Sequence, residues 1–269
     1  MKRSVPRPVD AEWLRWLQVN VERGCSREEL VKTLLANGFD DASVVKAMKQ
    51  VLAGAVPVAP VIAAPAEIRI PNATKHPSDE IELYTAEDFF SPSECAELVS
   101  LIRTSLRPST ITTHPDGEPD KAFRTSRTCD LTGGQPVVKA LDARICQALG
   151  IDAAYAEPTQ GQNYEVGQTF KPHTDFFKGY ELAKYAMGNL GQRTWTFMVY
   201  LNVPEGGGET RFVDVGLTVK PKLGMAVAWN NLLPSGEPNY KTHHEGAPVT
   251  AGVKTVITKW FRMPIRPAG

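Results

Sequence analysis

The sequence predicts a mainly β domain buttressed by α-helices, preceded by a small all-α module. Three observations carry the prediction. Apolar residues recur at helical spacing ahead of a Pro- and Ala-rich stretch, two capped amphipathic segments follow it, and beyond Gly150 the period changes to β-branched and aromatic runs. Two helices followed by short strands with Gly and Pro between them describe an antiparallel sandwich or barrel with helices on one face.

Each element follows from its own residues. Asp10 is placed to cap a first helix carrying Trp13, Leu14, Leu17 and Val21. Ser26, with Glu29 three residues later, is a capping-box signature for a second helix with Leu30, Val31, Leu34 and Leu35, and Asn37-Gly38 stops it. A third begins near Asp41 and presents Val44, Val45, Met48 and Val51. The three are expected to close a small core around Trp13 and Trp16, and none of their residues looks catalytic. From Val51 to Pro71, Ala, Val and Pro dominate without an amphipathic period, which describes an extended spacer. The expected organisation is a helical module over 1–52, a linker over 53–80 and the main domain over 81–269.

In that domain, Ser91-Pro92-Ser93-Glu94 combines an N-cap, a proline at the first helical position and a capping-box glutamate. Cys95, Leu98, Leu101 and Ile102 then form one apolar side. Pro136 to Leu149 reads as a second helix with Val138, Leu141, Ile145 and Leu149 inward and Gly150 just past its end. Residues 193–202 (RTWTFMVYLN), 225–229 and 253–262 (VKTVITKWFR) read as strands.

Composition narrows the function classes. Thirty Lys and Arg balance thirty Asp and Glu, and zero formal charge argues against broad electrostatic capture of nucleic acid or anionic lipid. The chain is 42% hydrophobic and 22% charged, as in a folded protein rather than a disordered one. Cys25, Cys95, Cys129 and Cys146 are scattered with no CxxC pair, the usage of reduced thiols. The N-terminus has no apolar stretch behind its charges, so no secretory signal is expected. The uncharged stretch 51–66 is too short for a membrane span and is broken by Pro57, Pro60 and Pro65. A soluble, cytoplasmic protein without nucleic-acid or membrane partners is expected.

The chemistry concentrates in the strand-rich half. His173 and Asp175, two apart, emerge on one face of a strand and suit two adjacent ligands of a metal. A third ligand must come from elsewhere, and His243-His244 supplies candidates. Neighbouring strand residues point to opposite faces, so one of the pair at most can join. Two His and one carboxylate are the donor set of non-haem iron(II) oxygenases. The competing reading is a loop histidine pair with ordinary hydrogen bonds.

Longer context favours the metal. The segment Tyr164-Glu165-Val166-Gly167-Gln168-Thr169-Phe170-Lys171-Pro172-His173-Thr174-Asp175 resembles the Y-x-x-G-Q-x-[FY]-x-x-H-x-D signature of prolyl 4-hydroxylases, members of the iron(II)/2-oxoglutarate-dependent dioxygenases. His244-Glu245-Gly246-Ala247-Pro248-Val249-Thr250-Ala251-Gly252-Val253-Lys254 is similar to that family's H-x-G-x-P-V-x-x-G-x-K, and Lys259-Trp260-Phe261-Arg262 to its closing K-W-[IF]-R. Tyr200-Leu201-Asn202-Val203, the run from Gly207 to Phe212 (GGETRF) and Arg124-Thr125-Ser126 also resemble family segments. The resemblance runs from about Ile81 to Arg262 and does not cover the N-terminal helices.

The resemblance implies a double-stranded β-helix (jelly-roll) core. It implies iron(II) on His173, Asp175 and His244, with His243 a flanking neighbour. It further implies 2-oxoglutarate with its far carboxylate on Lys254 and Tyr164, Thr196 on a strand lining that pocket, and O2 as oxidant. Ascorbate, which many 2-oxoglutarate enzymes use to recover oxidised iron, is an optional cofactor. Lys254 shares its strand face with Val256, Thr258 and Trp260, where a buried ammonium needs an anionic partner.

For the substrate, Arg124, Arg127 and Trp229 are the candidates. Lys121 joins the basic cluster, and Phe176, Phe177 and Tyr180 follow the metal-binding pair. Residues 178–192 are expected to form a lid. The implied reaction hydroxylates an unactivated C–H bond with release of succinate and carbon dioxide, first on a prolyl residue of a peptide or protein. Hydroxylation of a free amino acid or other small metabolite is the alternative on the same chemistry. A non-catalytic jelly-roll binding protein is the alternative from another class. The helical module is expected to recruit a protein partner.

Overall fold

Side-chain alternation along the strands sorts the main domain into two cores on opposite faces of one sheet. The computed structural model describes residues 9, 13, 14, 17, 20, 21, 27–52, 68–109, 122–131, 134–178 and 191–263. The principal sheet comprises β1 (Ala73–Lys75), β2 (Leu83–Ala86), β3 (Arg107–Pro108), β4 (Arg127–Leu131), β5 (Thr159–Tyr164), β7 (Gln192–Tyr200), β11 (Ala226–Asn230) and β14 (Lys254–Met263). Its spatial order is β1-β2-β11-β7-β14-β5-β4-β3, with antiparallel pairings throughout. A second sheet, β10-β9-β12-β6, comprises β6 (Phe170–His173), β9 (Thr210–Phe212), β10 (Leu217–Val219) and β12 (His244–Gly246). A two-stranded ribbon joins β8 (Gly206–Gly207) to β13 (Val249–Ala251). This multi-stranded core flanked by helices is the expected jelly-roll architecture.

On β7, Trp195, Phe197 and Val199 turn to the helical side, while Met198 and Tyr200 turn to the second sheet. Two helices, here α3 (Pro92–Arg103) and α4 (Pro136–Leu149), cover the first face with Cys95, Leu98, Ile102, Val138, Leu141 and Ile145. The predicted capping box is present, Glu94 N donating to Ser91 Oγ and Ser91 N to the Glu94 carboxylate. Gly150 ends α4 in the left-handed region. Gly161 lets α3 approach β5, because a Cβ there would meet Ile102 at 2.5 Å. The other face packs Tyr164, Met198, Tyr200, Phe212, Trp229 and Val256 between the two sheets.

The principal sheet takes in residues ahead of Ile81. β1 pairs with β2, and Ile70 is buried against the helical face, so residues 70–80 do not belong to a spacer. These contacts lie far from the periodic runs that mark the domain in sequence, and a three-residue edge strand has no period of its own.

The N-terminal helices include α1 (Arg27–Ala36) and α2 (Asp41–Leu52), with residues 13, 14, 17, 20 and 21 also helical. Leu14, Leu17, Leu30, Leu34, Phe39, Val44, Ala47, Met48 and Val51 form their own core, with Trp13 edge-on to Phe39. Leu35 and Val45, expected inward, are exposed; Phe39 and Ala47 fill the core instead. Asp10, Trp16, Ser26, the spacer at 53–67, Lys121 and the segment 179–190 with Tyr180 lie outside the described residues.

Candidate metal centre

His173 ends β6 and His244 begins β12, and antiparallel pairing sets them directly opposite, with ring centroids 4.4 Å apart. Asp175 lies just beyond the end of β6 rather than on it, so the shared-strand-face argument does not describe it. A bend carries its carboxylate back to the pair, Oδ1 3.8 Å from His173 Nε2 and Oδ2 3.9 Å from His244 Nε2. The ligand atoms of the three residues lie within 4.8 Å of one another. His243, on the other face, pairs with Asp214 at 3.5 Å.

The donors fit a divalent metal. His173 Nδ1 donates to Lys171 O at 2.8 Å and His244 Nδ1 to Thr242 O at 2.8 Å. A carbonyl only accepts, so each neutral ring carries its proton on Nδ1 and leaves the Nε2 lone pair for a metal. Burial and the neighbouring His244 press His173 down to about 3, which keeps its ring neutral. Burial alone would raise Asp175. His244, His173, Arg193 and the Thr196 hydroxyl outweigh it and hold the carboxyl below its ordinary value.

The surrounding shell comes from the opposite sheet. Trp229 packs edge-on to His244 at 4.8 Å and is buried. Thr196 donates to Asp175 Oδ2 at 2.7 Å. The turn after Asp175 is pinned by a residue that sequence reasoning missed. Gln192 accepts from Phe177 N at 2.7 Å and donates to Phe177 O at 2.9 Å. Arg193, held by Glu157 at 2.6 Å, stacks over Trp260 at 4.2 Å.

A pocket runs from the triad between the sheets, lined by Tyr164, Phe170, Trp229, Lys254, Thr258 and Trp260, among others. Lys254 is buried, its ammonium 5.1 Å from the Tyr164 ring and 5.4 Å from that of Tyr200. Burial lowers it to about 7, with Glu209 opposing. Tyr164 donates to Gln162 Oε1 at 2.9 Å, and Gln162 donates to Thr258 Oγ1 at 3.1 Å. Gln162 was also missed, although it stands two residues before Tyr164 on the same strand face.

The substrate candidates separate. Arg124 lies over Phe170 at 4.7 Å and donates to Gln160 Oε1 at 2.8 Å, beside the pocket. Arg127 is exposed and donates to Leu106 O, away from it. On β4 it shares the helix-covered face of Cys129 and Leu131, opposite to that of Thr128. Phe176 and Phe177 are buried, Phe176 edge-on to Tyr240.

Comparison with known proteins agrees with the geometry. Residues 159–262 match the family model of the 2OG-Fe(II) oxygenase superfamily. The chain is 35% identical over 185 residues to prolyl 4-hydroxylase subunit alpha-1 of Homo sapiens, covering 68% of this chain and 35% of that one. It is 34% identical over 171 residues to prolyl 4-hydroxylase subunit alpha-2 of Caenorhabditis elegans, covering 63% and 32%. It thus spans about a third of the length of these curated relatives. Among solved structures, the viral collagen prolyl hydroxylase of Paramecium Bursaria Chlorella virus-1, in its 2OG complex, superposes with a TM-score of 0.53 at 25% identity. That match covers 67% of this chain and 95% of the viral one.

Proposed function

Because this chain belongs to the 2OG-Fe(II) oxygenase superfamily, we propose that it is an iron(II)- and 2-oxoglutarate-dependent dioxygenase that hydroxylates a prolyl residue of a peptide or protein. The observation that carries the reading is one pocket lined by both His173, Asp175 and His244 and the buried cation Lys254. A triad alone needs no distant buried ammonium, and a buried ammonium needs an anion.

In this reading His173, Asp175 and His244 are the residues that would hold iron(II). Bound iron and 2-oxoglutarate together supply the oxidising chemistry, with succinate and carbon dioxide released. The chain's own residues position and exclude. Lys254 would receive the far carboxylate of the cosubstrate in a charge-assisted contact, and the Tyr164 hydroxyl would join it by turning its proton from Gln162 Oε1 to that carboxylate. Trp229, Phe212 and Phe170 pack against the two histidines and keep water from their flanks. Arg124, beside the pocket with its guanidinium partly buried, contacts the substrate.

Similarity to proteins named prolyl 4-hydroxylase supports the prolyl reading, as does the resemblance around His173 and His244. Among the described residues no helix is long and apolar enough to cross a membrane. Cys95, Cys129 and Cys146 are free, which suits the reduced, cytoplasmic setting proposed here. The helices over 1–52 carry none of the site residues and are read as a module for a protein partner.

The test is substrate-stimulated succinate production with iron(II), comparing proline-containing peptides with free amino acids. Stimulation by peptides is expected, and loss of turnover in His173→Ala and Asp175→Ala. Stimulation by free amino acids alone would replace the peptide substrate, and undiminished turnover in either variant would overturn the site.

A further inference from the structure

Asp175 is reached from the opposite sheet by a hydrogen-bond chain of two links. Thr196 Oγ1 donates to Asp175 Oδ2 at 2.7 Å, and Asn231 Nδ2 donates to Thr196 Oγ1 at 2.9 Å. Thr196 and Asn231 are both fully buried. The donor inventory fixes the direction. A carboxylate only accepts, and a hydroxyl has a single proton to give. A Thr196 hydroxyl that donates to Asp175 must therefore receive from Asn231. Turned the other way, the amide oxygen would compete with Asp175 for that proton.

The observed orientation is a destabilising one for Asn231 itself. Its Oδ1 is buried with no hydrogen-bond partner among the described residues. The main chain holds the residue in place. Asn231 N donates to Thr194 O at 2.6 Å, and Asn231 O accepts from Asn239 N at 2.8 Å. Asn239 in turn is tied to Glu80 O at 2.9 Å.

Resting on the reading of His173, Asp175 and His244 as metal ligands, we infer that Asn231 is a positioning residue of the metal centre. Its amide sets the Thr196 hydroxyl as a donor to Asp175 Oδ2. Oδ1, which faces His173 Nε2, is then the oxygen left for the metal. Outer hydrogen bonds of this kind orient a ligand and tune affinity without touching the ion.

The experiment is a Co(II) titration of the full chain, followed by visible d–d absorption, with thermal unfolding of each variant recorded alongside. Asn231→Leu and Thr196→Val are each expected to weaken Co(II) binding by about tenfold or more and to alter the d–d bands in the same way. Thr196→Ser, which keeps the hydroxyl, should restore both. The double variant should bind no more weakly than Thr196→Val alone, since the two residues act through one proton. Asn231→Val, smaller and likewise without a donor, should reproduce Asn231→Leu, which keeps the test open if the leucine variant does not fold. Parental affinity and bands in folded Asn231→Leu or Asn231→Val, or a double variant whose loss is the product of the two single losses, would overturn the inference alone. Absence of Co(II) bands in the unsubstituted chain would overturn the metal-centre reading and this inference with it.

Discussion

Lys254 and Tyr164 are ninety positions apart in sequence and stand directly opposite each other in the pairing of β14 with β5, the ammonium 5.1 Å from the tyrosine ring. Both side chains turn between the sheets, in a pocket whose far end is the His-Asp-His triad.

Affinity for 2-oxoglutarate should fall as pH rises above about 7. Burial sets the Lys254 ammonium to about 7, so it is charged below that value and neutral above it. A dianion requires the charged form, so each pH unit above 7 should weaken binding by up to about tenfold. Calorimetry at pH 8 in buffers of different ionisation enthalpy should show proton uptake on binding. An affinity that stays flat from pH 6.5 to 8.5 in that titration would count against Lys254 as the carboxylate partner.

Lys254→Met should stabilise the ligand-free fold while weakening 2-oxoglutarate binding. The folded value of about 7 lies below the ordinary 10.5, so the fold disfavours the charged form. That penalty is absent above 10.5, grows as pH falls towards 7 and is complete below 7. At pH 7 the variant should gain a few kcal/mol in urea unfolding, and the gain should vanish near pH 10.5. A variant less stable than the parent at pH 7 would contradict the assigned burial cost.

Glu94→Gln should lose stability at neutral pH and not at acid pH. The Arg144 guanidinium, donating at 2.6 Å, together with the Ser91 contacts, holds Glu94 at about 2 against an ordinary 4.5. The stabilisation is present above 4.5 and is lost as pH falls from 4.5 to 2. The Arg144 side chain is 39% exposed, so solvent screening reduces the pair to about 1 kcal/mol. Urea unfolding of parent and variant across that range should show the two curves converging.

Gly224→Ala should destabilise far more than Gly167→Ala. Both glycines have positive φ, +72° and +80°. A Cβ at Gly167 meets nothing within 4 Å, so only backbone strain of about 1 kcal/mol applies. At Gly224 it would lie 2.1 Å from Phe90 O, and Gly224 O also accepts from Phe90 N. Differential scanning calorimetry of the two variants measures the contrast, and equal losses would remove the close approach as the cause.

The local rules read well where one segment carries the whole signal. Ser91 with Glu94, Gly150, and the alternation of Lys254, Val256, Thr258 and Trp260 needed no partner to be recognised. Motif spacing placed His173, His244 and Tyr164 together. It did not show that Asp175 leaves the strand, because a bend after His173 carries no periodic signature. Arg127 and Arg124 are close along the chain, yet strand alternation puts Arg127 on the face of Cys129 and Leu131, which packs on the helices. Gln192 and Asn231, and the bond from mid-strand Thr196 to Asp175, carry no signal in sequence, since polar side chains show their partners only when distant segments meet.

Sequence by itself determined the faces of the strands, the caps of the helices and the donor set of the site. Periodicity and hydrogen-bonding chemistry are properties of a single segment, and the order of the motifs adds the rest. Tertiary structure alone decided that His244 pairs across β12 and β6 with His173, that Thr196 and Asn231 reach Asp175 from the other sheet, and that Lys254 is sealed off beside Tyr164. Those contacts depend on register between strands distant in sequence. Register is selected by packing of the whole core, so no short stretch of sequence specifies it.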